Sequence, residues 1–215
     1  GSNGIVKFDG DEVDTASALA LDPNSKIVVV GATATRVLVF RLGTDGAFDT
    51  SFGTNGVTKP VQGSARDVAI TPDGGILIAG TVSSDLMVMR LGATGLLDAA
   101  FGVDGVTVLS TGATGSESAF ESAEALAVAP GGTITVAGSA QAGNDQNLLV
   151  AQLTPSGALH VPFGSGGLLV SYLQGGHDNA DDVLVDTDGS IVLVGSTSAE
   201  ANGLRSALIG RLMPN

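Results

Sequence analysis

The sequence lacks cysteine and tryptophan altogether, and it has one tyrosine and only nine lysine and arginine residues among 215. Without cysteine, disulfide bonds, zinc–thiolate sites and thiol catalysis are excluded. The few basic residues face 22 aspartate and glutamate residues, so the net charge is −13. A surface of this charge repels phosphate groups, and nucleic acid is therefore not an expected partner.

Long apolar runs are also missing, although 43% of the residues are hydrophobic. That fraction is too high for a disordered chain, and no run approaches the 18 apolar residues that a membrane-spanning helix needs. The apolar stretches are short and are interrupted by glycine, aspartate, threonine and serine. This pattern predicts an all-β protein of short strands and turns, with no membrane span.

A repeat of fourteen residues organises the chain, and each copy ends in glycine. The copies align without gaps at residues 18–31, 67–80, 125–138 and 182–195. Each reads as a hairpin, because an apolar strand meets a turn such as Thr-Pro-Asp-Gly and then a β-branched strand. Third strands are predicted at 37–42, 86–91, 148–153 and 204–212, and fourth strands at 57–61, 106–109 and 168–172.

The most distinctive stretch joins the third and fourth strands. It reads TDGAFDTSFGTNGV at 44–57 and ATGLLDAAFGVDGV at 93–106, and it follows an Arg-Leu pair in both copies. These residues resemble the delta-60 repeat family of bacterial propeller-like proteins, and the resemblance implies a propeller fold rather than a particular activity. The third copy departs from the motif, since His160 stands where the first two copies have aspartate.

The two chain ends complement each other in this repeat. Residues 1–6 match the turn and fourth strand at 53–58, and the chain stops just past a third strand. We therefore predict one domain over 1–215, a β-propeller of four repeats of four antiparallel strands, with its ring closed by pairing of the N- and C-terminal strands in one blade. The repeat units are approximately 13–61, 62–109, 110–172, and 173–215 plus 1–8. Two origins fit Gly1-Ser2: a remnant of cloning, or a native part of the chain that matches the repeat turn.

Three assemblies fit the four repeats: a closed monomer, a strand-exchanged dimer with eight blades, and part of a longer array. The monomer is the favoured reading. The acidic composition, rich in glycine and poor in lysine, fits an exported or surface protein of a bacterium, so we expect an extracellular location.

Catalytic machinery is not evident in the sequence. There are two histidines, His160 and His177, and neither accompanies a G-x-S-x-G elbow or a phosphate-binding glycine loop. His160 lies in a repeat turn and is predicted to be structural. His177 lies in the acidic segment 177–182, where it is the one candidate for a general base with carboxylate neighbours.

A cation site is the sharper chemical hypothesis. Asp67 and Asp182 occupy equivalent positions in the second and fourth repeats, which face each other in a closed four-bladed ring. Carboxylates on both sides of an axis suit a hard cation, so calcium is the candidate cofactor. The competing interpretation is that both residues cap strand ends or pair with Arg66.

The expected function is non-enzymatic binding or scaffolding, with variable loops at 8–16, 110–124 and 172–181 presented on one face to a protein or small ligand. The alternatives are a cation-binding propeller, a metal-dependent lyase or hydrolase, and a spacer domain. The predicted ligand-binding residues on this face are Asp14, Arg66, Glu124, His177 and Asp181.

Overall fold

A computed structural model describes residues 3–10, 13–110, 120–142, 145–173, 176–198 and 204–213. Within these ranges all regular elements are strands, which form four antiparallel sheets in the orders β1-β2-β3-β4, β5-β6-β7-β8, β12-β11-β10-β9 and β13-β14-β15. The strands are β1 Thr15–Leu21, β2 Ile27–Ala32, β3 Val37–Leu42, β4 Val57–Thr58, β5 Ser64–Ile70, β6 Ile76–Val82, β7 Asp85–Leu91, β8 Val106–Leu109, β9 Glu121–Val128, β10 Ile134–Ala142, β11 Asp145–Leu153, β12 Leu168–Ser171, β13 Asn179–Val185, β14 Ile191–Ser198 and β15 Arg205–Leu212. The same ranges contain no helix able to cross a membrane.

Each sheet begins with the hairpin that the fourteen-residue repeat predicts. In the first sheet Leu21 of β1 lies opposite Ile27 of β2. The carboxylate of Asp22 closes the turn between them by accepting the N–H groups of Asn24 at 2.8 Å and Lys26 at 2.9 Å. Because β-branched residues favour extended backbone and aspartate favours such local bonds, the sequence folds into this hairpin locally.

The outer strands follow the prediction less closely. Strand β8 matches the predicted range 106–109, whereas β4 ends at Thr58 and β12 at Ser171. Pro60 has no N–H with which to continue the ladder beyond β4. The predicted loop 110–124 is also shorter than expected at its far end, because β9 begins at Glu121.

Three apolar interfaces stack the four sheets in chain order. Valines of the first sheet meet isoleucines and methionines of the second, and similar clusters join the second to the third and the third to the fourth. Strands β1, β5, β9 and β13 lie at the same edge of their sheets and contact one another in sequence, so they form the inner wall of the stack.

The predicted ring closure is not found among the described residues. Strand β15 pairs with β14 alone, so the fourth sheet has three strands. The N-terminal residues Val6 and Phe8 pack on the first sheet, where Phe8 stacks on Phe40 with ring centroids 5.7 Å apart. Among the described residues, no apolar interface like the other three joins the fourth sheet to the first. Within the same residues, β15 does not pair with the N-terminal segment.

The glycine that ends each repeat has a steric cause. The inner strand of every sheet contains a β-bulge opposite this glycine. A Cβ atom on Gly80 would lie 2.0 Å from the carbonyl oxygen of Ser64, and the same overlap arises at the other three copies, Gly31, Gly138 and Gly195. Only glycine lets the bulged strand approach this closely.

A buried arginine fastens the outer turn of the first sheet to the second sheet. The Arg41 guanidinium lies 2.7 Å from the Asp49 carboxylate, donates to the Ala93 carbonyl at 2.8 Å, and sits 4.8 Å from the ring centroid of Phe52. Phe52, the phenylalanine of the repeat turn, is fully buried. The Arg-Leu and Phe-Gly parts of the motif thus act together between sheets.

The third repeat replaces this ion pair with neutral groups. Gln152 stands at the arginine position and His160 at the aspartate position, and the Gln152 side chain donates to the Thr135 hydroxyl at 3.3 Å. The two departures from the motif therefore occur together, and they occur at residues that interact in the first repeat. This pairing supports the prediction that His160 is structural.

Candidate functional site

The β-bulges in the inner strands place charged residues on the inner wall. Arg66, Glu124 and Asp181 are the extra residues of the bulges in β5, β9 and β13. Bulges re-aim side chains in this way. Arg66 and Glu124 form an ion pair between neighbouring sheets, with Nε and Oε2 3.7 Å apart. The structure thus brings together two of the predicted ligand-binding residues and places Asp181 in the same position on the next sheet.

Asp67, the residue after the bulge in β5, links the second sheet to the third. Its carboxylate accepts the N–H of Val68 and the N–H of Leu126, both at 2.8 Å. Burial raises the pKa of Asp67, the two N–H donors lower it in part, and the charge of Asp182 raises it further. The charge of Asp182 thus acts on Asp67, the carboxylate that it was predicted to face.

These carboxylates are partly used by the backbone. Asp182 accepts the N–H of Val183 at 2.8 Å, as Asp67 accepts that of Val68. Among the described residues no three histidine, aspartate or glutamate side chains converge in a way that could hold a metal ion. Asp67 and Asp182 lie inside β5 and β13, directly after the bulge, rather than at a strand end. Calcium binding by the pair stays a prediction.

The other two predicted residues lie apart at the end of the stack where the inner strands begin. Asp14, the residue before β1, accepts the N–H of Gly10 at 2.7 Å. His177 is exposed, and its backbone N–H donates to the Ser198 hydroxyl at 3.0 Å. Its neighbour Asp178 is buried and accepts the Thr197 hydroxyl at 2.5 Å, so this carboxylate orders the segment around His177.

Exposed apolar side chains on the same end were missed by sequence reasoning. Phe120, Tyr172 and Leu173 all precede inner strands, and Tyr172 is 68% exposed. We call these three residues together with His177 the loop face. The available signal was that Phe120 and Tyr172 are aromatic residues within the predicted variable loops 110–124 and 172–181.

Backbone hydrogen bonds place the loop-face residues along one row. The Phe120 carbonyl accepts the N–H of Gln141, and Gln141 lies opposite Gln146 across β10 and β11. The Gln146 carbonyl accepts the N–H of Asp178, whose carboxylate accepts the N–H of Leu173 at 3.0 Å. Phe120 and Leu173 are therefore linked through neighbouring residues of β10 and β11 at the same end of the third sheet.

Two grooves lie at the outer edge of the sheets, away from the inner wall. A groove of about 530 Å³ lies beside Thr58 and Lys59, and an equivalent groove of about 770 Å³ lies beside Thr107 and Ser156. Their linings are repeat turns and short edge strands. They lie apart from every predicted site residue.

Comparison with known proteins supports the repeat architecture. The family model described as a domain of unknown function (DUF5122) beta-propeller matches residues 23–52 and 71–101. The match falls on the first two repeats, which carry the complete motif. No curated protein matches the chain.

Several solved structures are similar in fold at low identity. Virginiamycin B lyase from Staphylococcus aureus is 10% identical with a TM-score of 0.48, over 89% of this chain and 54% of that one. A gluconolactonase from Xanthomonas campestris is 13% identical with a TM-score of 0.49, over 90% and 61%. A putative gluconolactonase is 17% identical with a TM-score of 0.44, over 86% and 57%.

The chain thus spans just over half the length of these structures. The internal repeats, the stacked four-stranded sheets and the family match do agree with one another. Together they identify the chain as an all-β repeat protein of the propeller type.

Proposed function

We propose that this protein is a non-enzymatic binding module that holds a protein partner on its loop face. The observation that carries the proposal is the exposure of Phe120, Tyr172 and Leu173 at one end of the stack. Exposed apolar groups gathered on a rigid scaffold are typical of interaction sites, and aromatic residues are enriched in the centres of protein interfaces.

Charge indicates the chemistry of the partner. The chain carries a net charge of −13, and Asp181 is exposed close to the loop face. An acidic surface speeds the encounter with a basic partner. We therefore expect a partner segment with apolar or aromatic anchors flanked by lysine or arginine.

Three ion pairs between charged side chains have structural roles, and this supports a binding module over an enzyme. Arg41 with Asp49 and Arg90 with Asp98 fasten outer turns, and Arg66 pairs with Glu124 on the inner wall. The enzymatic alternative, a metal-dependent lyase or hydrolase, needs a general base that is free to act, and His177 is its candidate. The composition supports the accompanying proposal of an exported or cell-surface location in a bacterium.

Selection of peptides from a random displayed library tests the loop face. The wild-type protein is expected to enrich peptides that combine aromatic and basic residues. The double variant Phe120→Ser with Tyr172→Ser is expected to bind the selected peptides at least tenfold more weakly, which corresponds to a loss of about 1.4 kcal/mol or more.

Val103→Ser is the control, because Val103 is also an exposed apolar residue but lies in an outer turn at the other end. This variant should bind the peptides as tightly as the wild type does. Peptides that bind the loop-face variant and the wild type equally would refute the proposal.

Cation binding is the second candidate, and the electrostatic coupling of Asp67 to Asp182 favours it. Calcium bound between the two carboxylates would raise the midpoint of thermal unfolding, by about 2.7 kcal/mol of stability at one hundred times its dissociation constant. Unfolding in millimolar calcium is compared with unfolding in excess chelator. Equal midpoints, or a rise that survives in Asp182→Asn, would contradict this site.

A further inference from the structure

The rear face of the fourth sheet is an interface without a partner in the described structure. Ile209 of β15 is 77% exposed, and Val194 of β14 beside it is exposed as well. The residues equivalent to Ile209 in the first three sheets are Val39, Val88 and Val150, and all three are fully buried against the next sheet. The same repeat position is thus covered three times and uncovered once.

The front face of the first sheet is open in the matching way. Leu19 of β1 is 66% exposed, whereas its equivalents Val68, Leu126 and Val183 are buried against the preceding sheet. Val6 and Phe8 cover the outer part of this front face only. The inner part therefore has the composition of an interface between sheets and lacks the covering sheet.

The N-terminal segment has the backbone of a fourth-strand entry. Asn3 and Gly4 have φ values of 54° and 78°, and the turn before β4 has 53° at Asn55 and 91° at Gly56. Positive φ at two successive residues is uncommon outside such turns. Ile5 then stands at the position that Val57 holds at the start of β4, and the fourth sheet is the one that lacks a fourth strand.

A hydrogen bond between sheets fits the same arrangement. Asp67 of the second sheet accepts the N–H of Leu126 in the third sheet. Asp182 is the equivalent of Asp67 in the fourth sheet, and Leu19 is the equivalent of Leu126 in the first. A first sheet placed behind the fourth would present the Leu19 N–H to Asp182.

We propose that a second copy of this chain completes the structure, with the first sheet of each copy docked behind the fourth sheet of the other. The N-terminal segment at 5–8 then supplies the missing fourth strand to β15 of its partner copy. The proposed interface would place the same repeat positions in contact as the three interfaces that already exist within one chain. Closure is consistent with two-fold symmetry, and it covers the exposed Leu19 and Ile209 of both copies.

Light scattering on the eluting protein measures the assembly. We expect twice the 21.1 kDa mass of the chain for the wild type and the single mass for Ile209→Glu. Ile209 is exposed in the single chain, so this variant keeps its fold, which circular dichroism verifies. Val103→Glu, at an equally exposed position, should remain a dimer. A single-chain mass for the wild type at micromolar concentration would overturn the proposal.

Introduced cysteines separate docking between copies from closure within one chain, because the sequence has no cysteine of its own. Val6 and Ile209 correspond to Thr58 and Val39, which are paired across β4 and β3, and directly opposite residues lie within disulfide reach. An equal mixture of Val6→Cys and Ile209→Cys should form a covalent dimer on mild oxidation. The mixture of Val103→Cys with Ile209→Cys should not. A double variant that cross-links only within one chain would instead establish the closed monomer.

Discussion

Replacing Gly80 with alanine is expected to lower the free energy of unfolding by about 3–5 kcal/mol. The new methyl group would stand 2.0 Å from the Ser64 carbonyl oxygen, a backbone atom that cannot rotate away. Relief of the overlap requires the bulge in β5 to open, which also displaces Arg66 and Asp67 from the inner wall. Urea denaturation followed by circular dichroism measures the loss, and each kcal/mol lowers the midpoint of thermal unfolding by about 2–4 °C for a chain of this size.

Gly131→Ala is the matched control for this prediction. A Cβ atom at Gly131 meets nothing within 4 Å, and Gly131 is not among the residues with positive φ. The stability of this variant should stay within about 0.5 kcal/mol of the wild type. Equal stability of the Gly80 and Gly131 variants would show that the repeat glycine is not required by the bulge.

Replacing Arg41 with methionine is expected to cost about 3–5 kcal/mol of stability. Methionine keeps much of the packing on Phe52 but removes the charge-assisted bonds to Asp49 and to the Ala93 carbonyl. Since Arg41 is 6% exposed, water does not replace these bonds readily. Arg66→Met serves as the control, because Arg66 is exposed and forms one longer ion pair, so the cost there should stay below about 1 kcal/mol.

The cost of Arg41→Met should also depend on pH. Hydrogen bonds from the Lys26 ammonium, the Ser51 hydroxyl and Arg41 hold the pKa of Asp49 well below its ordinary value. A carboxyl whose pKa is lowered by folding stabilises the folded state above its unfolded pKa of about 3.9, and this contribution is lost as the pH falls. The difference between wild type and variant should therefore be largest near neutral pH and shrink below about pH 4. A difference independent of pH would contradict a role for the Asp49 charge.

Local sequence patterns predicted the elements of the fold well. The turn at Asp22 and the strand that begins at Ile27 follow from short-range preferences that act within a few residues. The β-bulge opposite Gly80 was not predicted, although the glycine served as the anchor of the repeat. A bulge depends on how two strands pair, and pairing is a property of two segments rather than one.

The candidate site was predicted in part. Arg66, Glu124 and Asp181 were predicted as ligand-binding residues. The bulge that places all three, and the ion pair between the first two, are visible only in the structure. Phe120 and Tyr172 were missed because exposure is decided by the surrounding sheets. An aromatic residue before a strand is equally compatible with a buried and an exposed position.

What the sequence by itself determined is the repeating unit: the hairpins, the outer turn with its arginine and phenylalanine, and the all-β class. These features follow from spacing and local chemistry that recur within one chain. Only the tertiary structure decided how the units are arranged, that the fourth sheet keeps three strands, and that Leu19 and Ile209 face outward at the two ends of the stack. The reason is that side-chain packing across each interface sets the angle between neighbouring sheets. Ring closure depends on the sum of these angles, and the repeat pattern in the sequence does not specify that sum.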